Sequence, residues 1–208
     1  MRNSASTGLM MAAVACAAGL VAAVNAAPAH ADDPTWTITP GGEVTGTAGT
    51  TTLKDVDTGV TLTCASSTTQ ATIESGSGLS GTSIATVTSA GFNSCTGPLG
   101  LSFSVTTGTV NYQLNAASYA GGVTTGTLDG ITAALSGLFC SASVAGTSPT
   151  TPGSISGAYT NSSAALAVSG GDLHIWNVSG CFGLIRNGDA VSYTASYSLT
   201  PAVQITSP

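Results

Sequence analysis

From Val191 to Thr200 apolar or aromatic side chains alternate strictly with Ser and Thr. Val191, Tyr193, Ala195, Tyr197 and Leu199 fall on one side of an extended chain, and Ser192, Thr194, Ser196 and Ser198 on the other. A period of two marks a strand with one buried and one wet face. A helix would scatter the same residues around its circumference. The pattern recurs in Leu101, Phe103 and Val105, set against Ser102 and Ser104. Val110, Tyr112 and Leu114 follow it after Thr107-Gly108, which predicts a hairpin there. Asn187-Gly188 is a two-residue turn signal, and Asp55-Val56-Asp57-Thr58-Gly59 reads as a turn built on Asp and Gly. Thr147 to Gly153, with Pro149 and Pro152, reads as a loop. Helical spacing occurs only in Ile131, Leu135 and Leu138, where a short helix and a strand both fit. Many short strands separated by turns predict an all-β fold, an antiparallel sandwich or barrel.

The first 31 residues read as an address. Arg2 precedes an apolar stretch from Leu9 to Val24, and Ala29-His30-Ala31 is an A-x-A cleavage site. The expectation is a secretory signal peptide over 1–31, cleaved to leave one domain over 32–208. The stretch is short against the roughly 20 residues of a membrane-spanning helix. An uncleaved anchor and lipoprotein processing at Cys16 are the alternatives. No later stretch is long and apolar enough to give the mature chain a membrane-spanning helix.

Export makes the cysteines informative. Beyond Cys16 there are four, Cys64, Cys95, Cys140 and Cys181, and an oxidising compartment pairs such residues. Their spacing is not the close pairing of a structural zinc site, so no metal is expected there. Four cysteines allow three connectivities. A weak internal repeat chooses among them. Leu62-Thr63-Cys64 and Leu79-Ser80-Gly81 match Leu138-Phe139-Cys140 and Ile155-Ser156-Gly157. Cys95-Thr96-Gly97 matches Cys181-Phe182-Gly183, and Leu101 to Val105 matches Val191 to Ala195. Two pseudo-repeats sharing one core predict pairing within each copy, Cys64 with Cys95 and Cys140 with Cys181.

Composition excludes whole classes of function. The chain has 3 Lys+Arg against 9 Asp+Glu, and beyond the leader only Lys54 and Arg186 are basic. Phosphate neutralisation needs clustered cations, so nucleic acid is not an expected partner. Disorder is also excluded, because 42% of residues are hydrophobic and only 6% charged.

The candidate sites are few. In Asp172-Leu173-His174-Ile175-Trp176 a strand would project Asp172, His174 and Trp176 together, with Leu173 and Ile175 facing the core. That row is a candidate ligand-contact face, with Trp176 as an aromatic platform and Trp36 as a second one. Trp36, Tyr119 and Tyr159 are candidates for stacking on sugar rings. His174 is the mature chain's single histidine and would be the general base of a hydrolase, but no G-x-S-x-G elbow accompanies it. Glu43, Glu74, Asp129, Asp172 and Asp189 offer carboxylates for a glycosidase pair, without a spacing that selects any two. Asp55 to Gly59 begins like a calcium loop but has Gly59 where a third oxygen ligand belongs. No catalytic residue and no cofactor is assigned. Asn161-Ser162-Ser163 and Asn177-Val178-Ser179 are glycosylation sequons in a host that uses them.

The Ala-rich leader ending in Ala-His-Ala, the Thr/Ser/Gly-rich body and the four spaced cysteines resemble small exported proteins of actinomycete bacteria. Gly180-Cys181-Phe182-Gly183-Leu184-Ile185, Gly188-Asp189 and the alternating Tyr strand add to the resemblance. It implies secretion by a Gram-positive host and brings no activity. The functional expectation is a non-enzymatic, disulfide-stabilised protein of the extracellular space or cell envelope. Alternatives are a module binding cell-wall polysaccharide, a self-associating surface protein and a secreted hydrolase.

Overall fold

The computed structural model describes residues 33–208; the expected signal peptide lies outside the described residues. Those residues form one compact unit. The strands are β1 (Trp36–Thr39), β2 (Gly42–Ala48), β3 (Thr51–Asp55), β4 (Thr61–Ile73), β5 (Gly76–Leu79), β6 (Ala85–Thr96), β7 (Ser102–Thr106), β8 (Tyr112–Ala120), β9 (Val123–Ile131), β10 (Ala133–Gly137), β11 (Cys140–Ala145), β12 (Gly153–Thr160), β13 (Ala165–Gly180), β14 (Ala190–Thr200) and β15 (Gln204–Thr206).

Pairing resolves these into an antiparallel barrel of 8 staves with extra strands. β2 runs on into β3, and both pair with β4. β4 pairs with β6 from Thr63↔Thr96 to Ile73↔Ala85. β7 and β8 share the next stave, followed by the stave of β9 and β10. β11 and β12 share another, then come β13 and β14. β14 closes the ring on β2 and β3, from Thr200↔Thr45 to Val191↔Asp55. Each stave therefore pairs with its neighbours in sequence, an up-and-down barrel. Closure pairs both outer strands of the main sheet within the ring, β11 with β13 and β3 with β14, which limits the open edge that self-association by strand addition would use; the small sheet β15-β1-β5 stands apart from that ring.

That small sheet is a lid. Both chain ends of the described domain and the β4–β6 connection meet at one end of the barrel, where β1 pairs with β15 and β5. Trp36, Ile38, Ile84 and Val203 are fully buried there. They pack with Val44, Ile73, Tyr159 and Ile205 as one apolar cluster. The Tyr159 hydroxyl donates to Val203 O at 2.7 Å, and Asn161 Nδ2 donates to Ile205 O at 2.8 Å. The opposite end is the rim, formed by the connections β3–β4, β6–β7, β10–β11 and β13–β14.

The disulfides are Cys64–Cys95 and Cys140–Cys181. Cys64 and Cys95 face each other in register on β4 and β6. Cys140 opens β11, and Cys181 follows Gly180, its register partner. The two bridges occupy matching places, between staves two and three and between staves six and seven. The two halves of the barrel thus repeat one connectivity, four staves each.

Two details of the expected pattern are corrected. Thr107-Gly108 is not a hairpin turn: β7 and β8 lie along one stave, because β6 is long enough to pair with both. Thr107 Oγ1 donates to Ala90 O at 3.1 Å inside that break. Leu79-Ser80-Gly81 and Ile155-Ser156-Gly157 are not equivalent either, since Gly81 sits in the lid connection and Gly157 within β12. The ambiguous stretch around Leu135 is strand β10, where Leu135 turns inward between exposed Ala134 and Ser136.

Candidate functional site

The alternation read in the sequence sorts side chains by side of the barrel wall. On β14 Val191, Ala195 and Tyr197 are buried and Thr194, Ser196 and Ser198 exposed. On β13 Val168, Leu173 and Ile175 point inward. The outer wall is therefore hydroxyl-rich and the inner wall apolar, the reverse of a membrane-spanning barrel, whose outer band is apolar.

An eight-stranded barrel is just wide enough to be filled by side chains or to hold one small ligand. Here the filling is incomplete. A cavity of about 130 Å³ lies at the waist, lined by Val87, Phe92, Val105, Leu128, Val144 and Leu173 among others. Leu53, Leu62 and Leu135 separate it from a cavity of about 60 Å³ behind the rim. Leu114, Leu128 and Leu166 separate it from one of about 40 Å³ under the lid. At the rim side the Phe103 ring fills a slot between two glycines. A Cβ on Gly97 or Gly137 would come within 2.6 or 2.8 Å of that ring.

The waist is not wholly apolar. Tyr193 and Tyr197 share a hydrogen bond of 2.7 Å between their hydroxyls, and Tyr197 shares another of 2.9 Å with buried Ser67. Burial first, then neighbouring Tyr197, pushes the Tyr193 phenol well above its ordinary range. The Tyr193 phenol is neutral at physiological pH, a polar handle without charge. Burial likewise raises the Tyr112 phenol, which donates to Thr132 O at 3.0 Å.

The residues singled out in the sequence lie elsewhere. Asp172, His174 and Trp176 do share the outer face of β13, as the alternation implies, but they are engaged within the fold. Asp172 Oδ1 accepts from Ser154 N, and Trp176 Nε1 donates to Gly146 O at 3.0 Å. His174 Nδ1 lies 3.0 Å from Asp172 O, and the His174 and Trp176 rings are 6.4 Å apart. Trp36 is fully buried in the lid and presents no face to a sugar ring. Tyr159 is buried beside it, and Tyr119 packs against the same cluster.

The carboxylates are dispersed. Glu43 and Glu74 lie towards the lid, Asp129 at the waist bonded to Asn115, and Asp172 on the outer wall. At the rim three acids meet, Asp55, Asp57 and Asp189. Asp55 is buried, and its Oδ1 accepts from Asp57 N and Thr58 N at 2.9 and 2.8 Å, which makes the 55–59 segment a turn. Its Oδ2 has no partner. Asp189 is held above the ordinary carboxylate range, chiefly by desolvation, with a further contribution from the neighbouring charges of Asp55 and Asp57. The Arg186 backbone N–H opposes that rise.

A raised folded-state pKa means that the fold holds the proton more tightly than the unfolded chain. This stabilisation is present at low pH and lost as pH rises through the folded value. Asp189→Asn, which mimics the protonated acid, is expected to raise the melting temperature at neutral pH. The advantage should vanish by about pH 3, below the ordinary Asp range. A variant no more stable than wild type at neutral pH would show that Asp55 and Asp57 do not load this site.

Comparison of the chain with family models, curated proteins and solved structures returned no match.

The lumen and the rim are what the sequence reading missed. A single strand's alternation names an inward face but not whether that face meets a packed core or a void. The signal for the rim was present in Pro98-Leu99-Gly100-Leu101 and Cys181-Phe182-Gly183-Leu184, where a bulky apolar residue stands before glycine between strands.

Proposed function

We infer that this chain is an exported, non-enzymatic barrel that takes a slender apolar molecule into its lumen. The observation that carries this reading is the chain of cavities along the axis, closed by the lid at one end and reaching the rim at the other. The waist cavity, about 130 Å³, compares with an apolar cavity of about 150 Å³ that stays dry and binds benzene. A small ring or an alkyl chain fits such a space better than a sugar does. The Tyr193–Tyr197–Ser67 hydroxyls would meet one neutral polar group on the ligand. These groups are uncharged hydrogen-bonding partners, which supports binding over acid–base chemistry. Two disulfides support export, since they persist in oxidising compartments.

Fluorobenzene and 1-octanol, titrated into the oxidised full chain and followed by fluorine and proton NMR, are the probes. Saturable binding is expected, weakened at least about tenfold by Ala133→Leu, which adds apolar volume to the waist. Absence of saturable binding of either probe would overturn the reading.

A further inference from the structure

Asp55, at the end of β3, is the one charged side chain buried among the described residues, at 2% exposure. Its Oδ1 is engaged by the backbone of the 55–59 turn, and its Oδ2 has no hydrogen-bond partner. The two cations of the described residues do not supply one. Lys54 precedes Asp55 in β3 but faces outward, and Arg186 is exposed on the β13–β14 connection. An ionised carboxylate taken out of water is costly unless a cation or hydrogen-bond donors meet it.

Asp55 lines the cavity behind the rim, about 60 Å³ in volume, which is room for several water-sized groups. Among the described residues that line it Asp55 alone is charged, and Phe103, Phe139, Phe182, Ile175 and Val191 are part of its apolar wall. Aromatic ring faces attract cations. The cavity lies among the rim connections, whose tips Leu99, Phe139 and Phe182 are exposed. Asp189 feels the charges of both Asp55 and Asp57, so three acids set the field on this side of the rim. That field favours a cation and disfavours an anion.

The donor set suits an organic cation better than a metal ion. Calcium takes roughly 6–8 oxygen ligands. Asp57 Oδ2 is engaged by Ala190 N at 2.8 Å, and Asp189 Oδ2 by Arg186 N at 2.7 Å. No three acidic, His or Cys side chains converge as metal ligands among the described residues. A primary ammonium brings its own N–H donors, and one free carboxylate oxygen in an apolar wall is enough to hold it.

The inward face of β3 sets where the rest of such a molecule goes. Asp55 lines the rim cavity, Leu53 lines both the rim and waist cavities, and Thr51 lines the waist. Thr51 and Asp55 stand roughly 13 Å apart along a strand. An unbranched alkyl chain that starts at Asp55 runs along this face towards the waist.

We propose that Asp55 anchors an amine site: the barrel takes an alkylammonium ion, with its head on Asp55 Oδ2 in the rim cavity and its tail in the lumen. The inference rests on the lumen reading for the tail and adds the charge of the head.

The test compares 1-octylamine, cationic at neutral pH, with 1-octanol, its neutral counterpart of the same length. Both are titrated into the oxidised full chain at neutral pH and followed by proton NMR. Octylamine is expected to bind at least about tenfold tighter, the effect of one charge-assisted hydrogen bond. Asp55→Asn keeps an Oδ1 for Asp57 N and Thr58 N and removes the unpaired charge, so it should melt no lower than wild type. In this variant octylamine should bind no tighter than octanol. Saturable binding of octanol to wild type, with octylamine no tighter, would overturn the inference and leave the lumen reading standing. A preference for octylamine that survives Asp55→Asn would also overturn it, because the general negative charge would then suffice. So would displacement of octylamine by roughly millimolar calcium chloride but not by sodium chloride of equal ionic strength, which would mark the acids as a metal site. No saturable binding of either molecule would overturn both readings.

Discussion

Trp36→Ala is expected to cost about 3–5 kcal/mol in urea unfolding, the range for deleting a fully buried aromatic side chain. Trp36 is fully buried, as are Ile38, Ile84 and Val203 around it. The gap cannot collapse easily, because the lid sheet is stitched to the barrel through Tyr159 and Asn161. That loss is a large part of the roughly 5–15 kcal/mol that holds a domain together. Trp36→Phe separates packing from polarity. The indole N–H is buried without a partner, so this replacement breaks no hydrogen bond and removes a desolvation penalty. Its expected cost is about 1 kcal/mol. If Trp36→Ala cost less than Trp36→Phe, the lid would not be packed as described.

Replacing either cystine pair by alanine is expected to remove roughly 4 kcal/mol, and replacing both to leave little net stability. The estimate follows from loop closure, with sequence separations of 31 and 41 residues. The bridges join different pairs of staves in opposite halves of the barrel and share no partner, so their effects should add. Urea titrations of the two double variants and the quadruple variant, against wild type with and without reductant, measure this. A quadruple variant that unfolds at the wild-type midpoint would show that hydrogen-bonded closure alone holds the ring. The rim turns should suffer first, since Cys95 and Cys181 precede the Leu99 and Phe182 tips.

Much of the wall was legible because strands write themselves locally. The alternation from Val191 to Leu199 names the inward and outward faces of β14, and it holds residue by residue. The turns at Asn187-Gly188 and Asp55 to Gly59 were legible for the same reason, since their chemistry is carried by two or three adjacent residues. The cystine pairs were legible through the half-to-half repeat. Thr107-Gly108 misled because a break within a stave and a turn between strands use the same residues. Which one forms depends on the length of β6, the partner across the ladder. Asp172, His174 and Trp176 share a face as the period of two requires, yet their engagement with Ser154 and Gly146 depends on β12 and the 146–152 loop lying alongside.

The chain's own residues thus settle that it is all-β, that one face of each strand is wet, and that four cysteines form two bridges. These follow from period, turn chemistry and cysteine placement, all of which act over short stretches or repeat along the chain. Closure of β14 on β2 and β3, the lid over one end and the voids along the axis belong to the tertiary structure. They depend on how many staves close the ring and how side chains from all of them share one interior. The grouping of Leu99, Phe139 and Phe182 at a single rim is of the same kind. Residues far apart in the chain meet there because an up-and-down path returns every second connection to the same end.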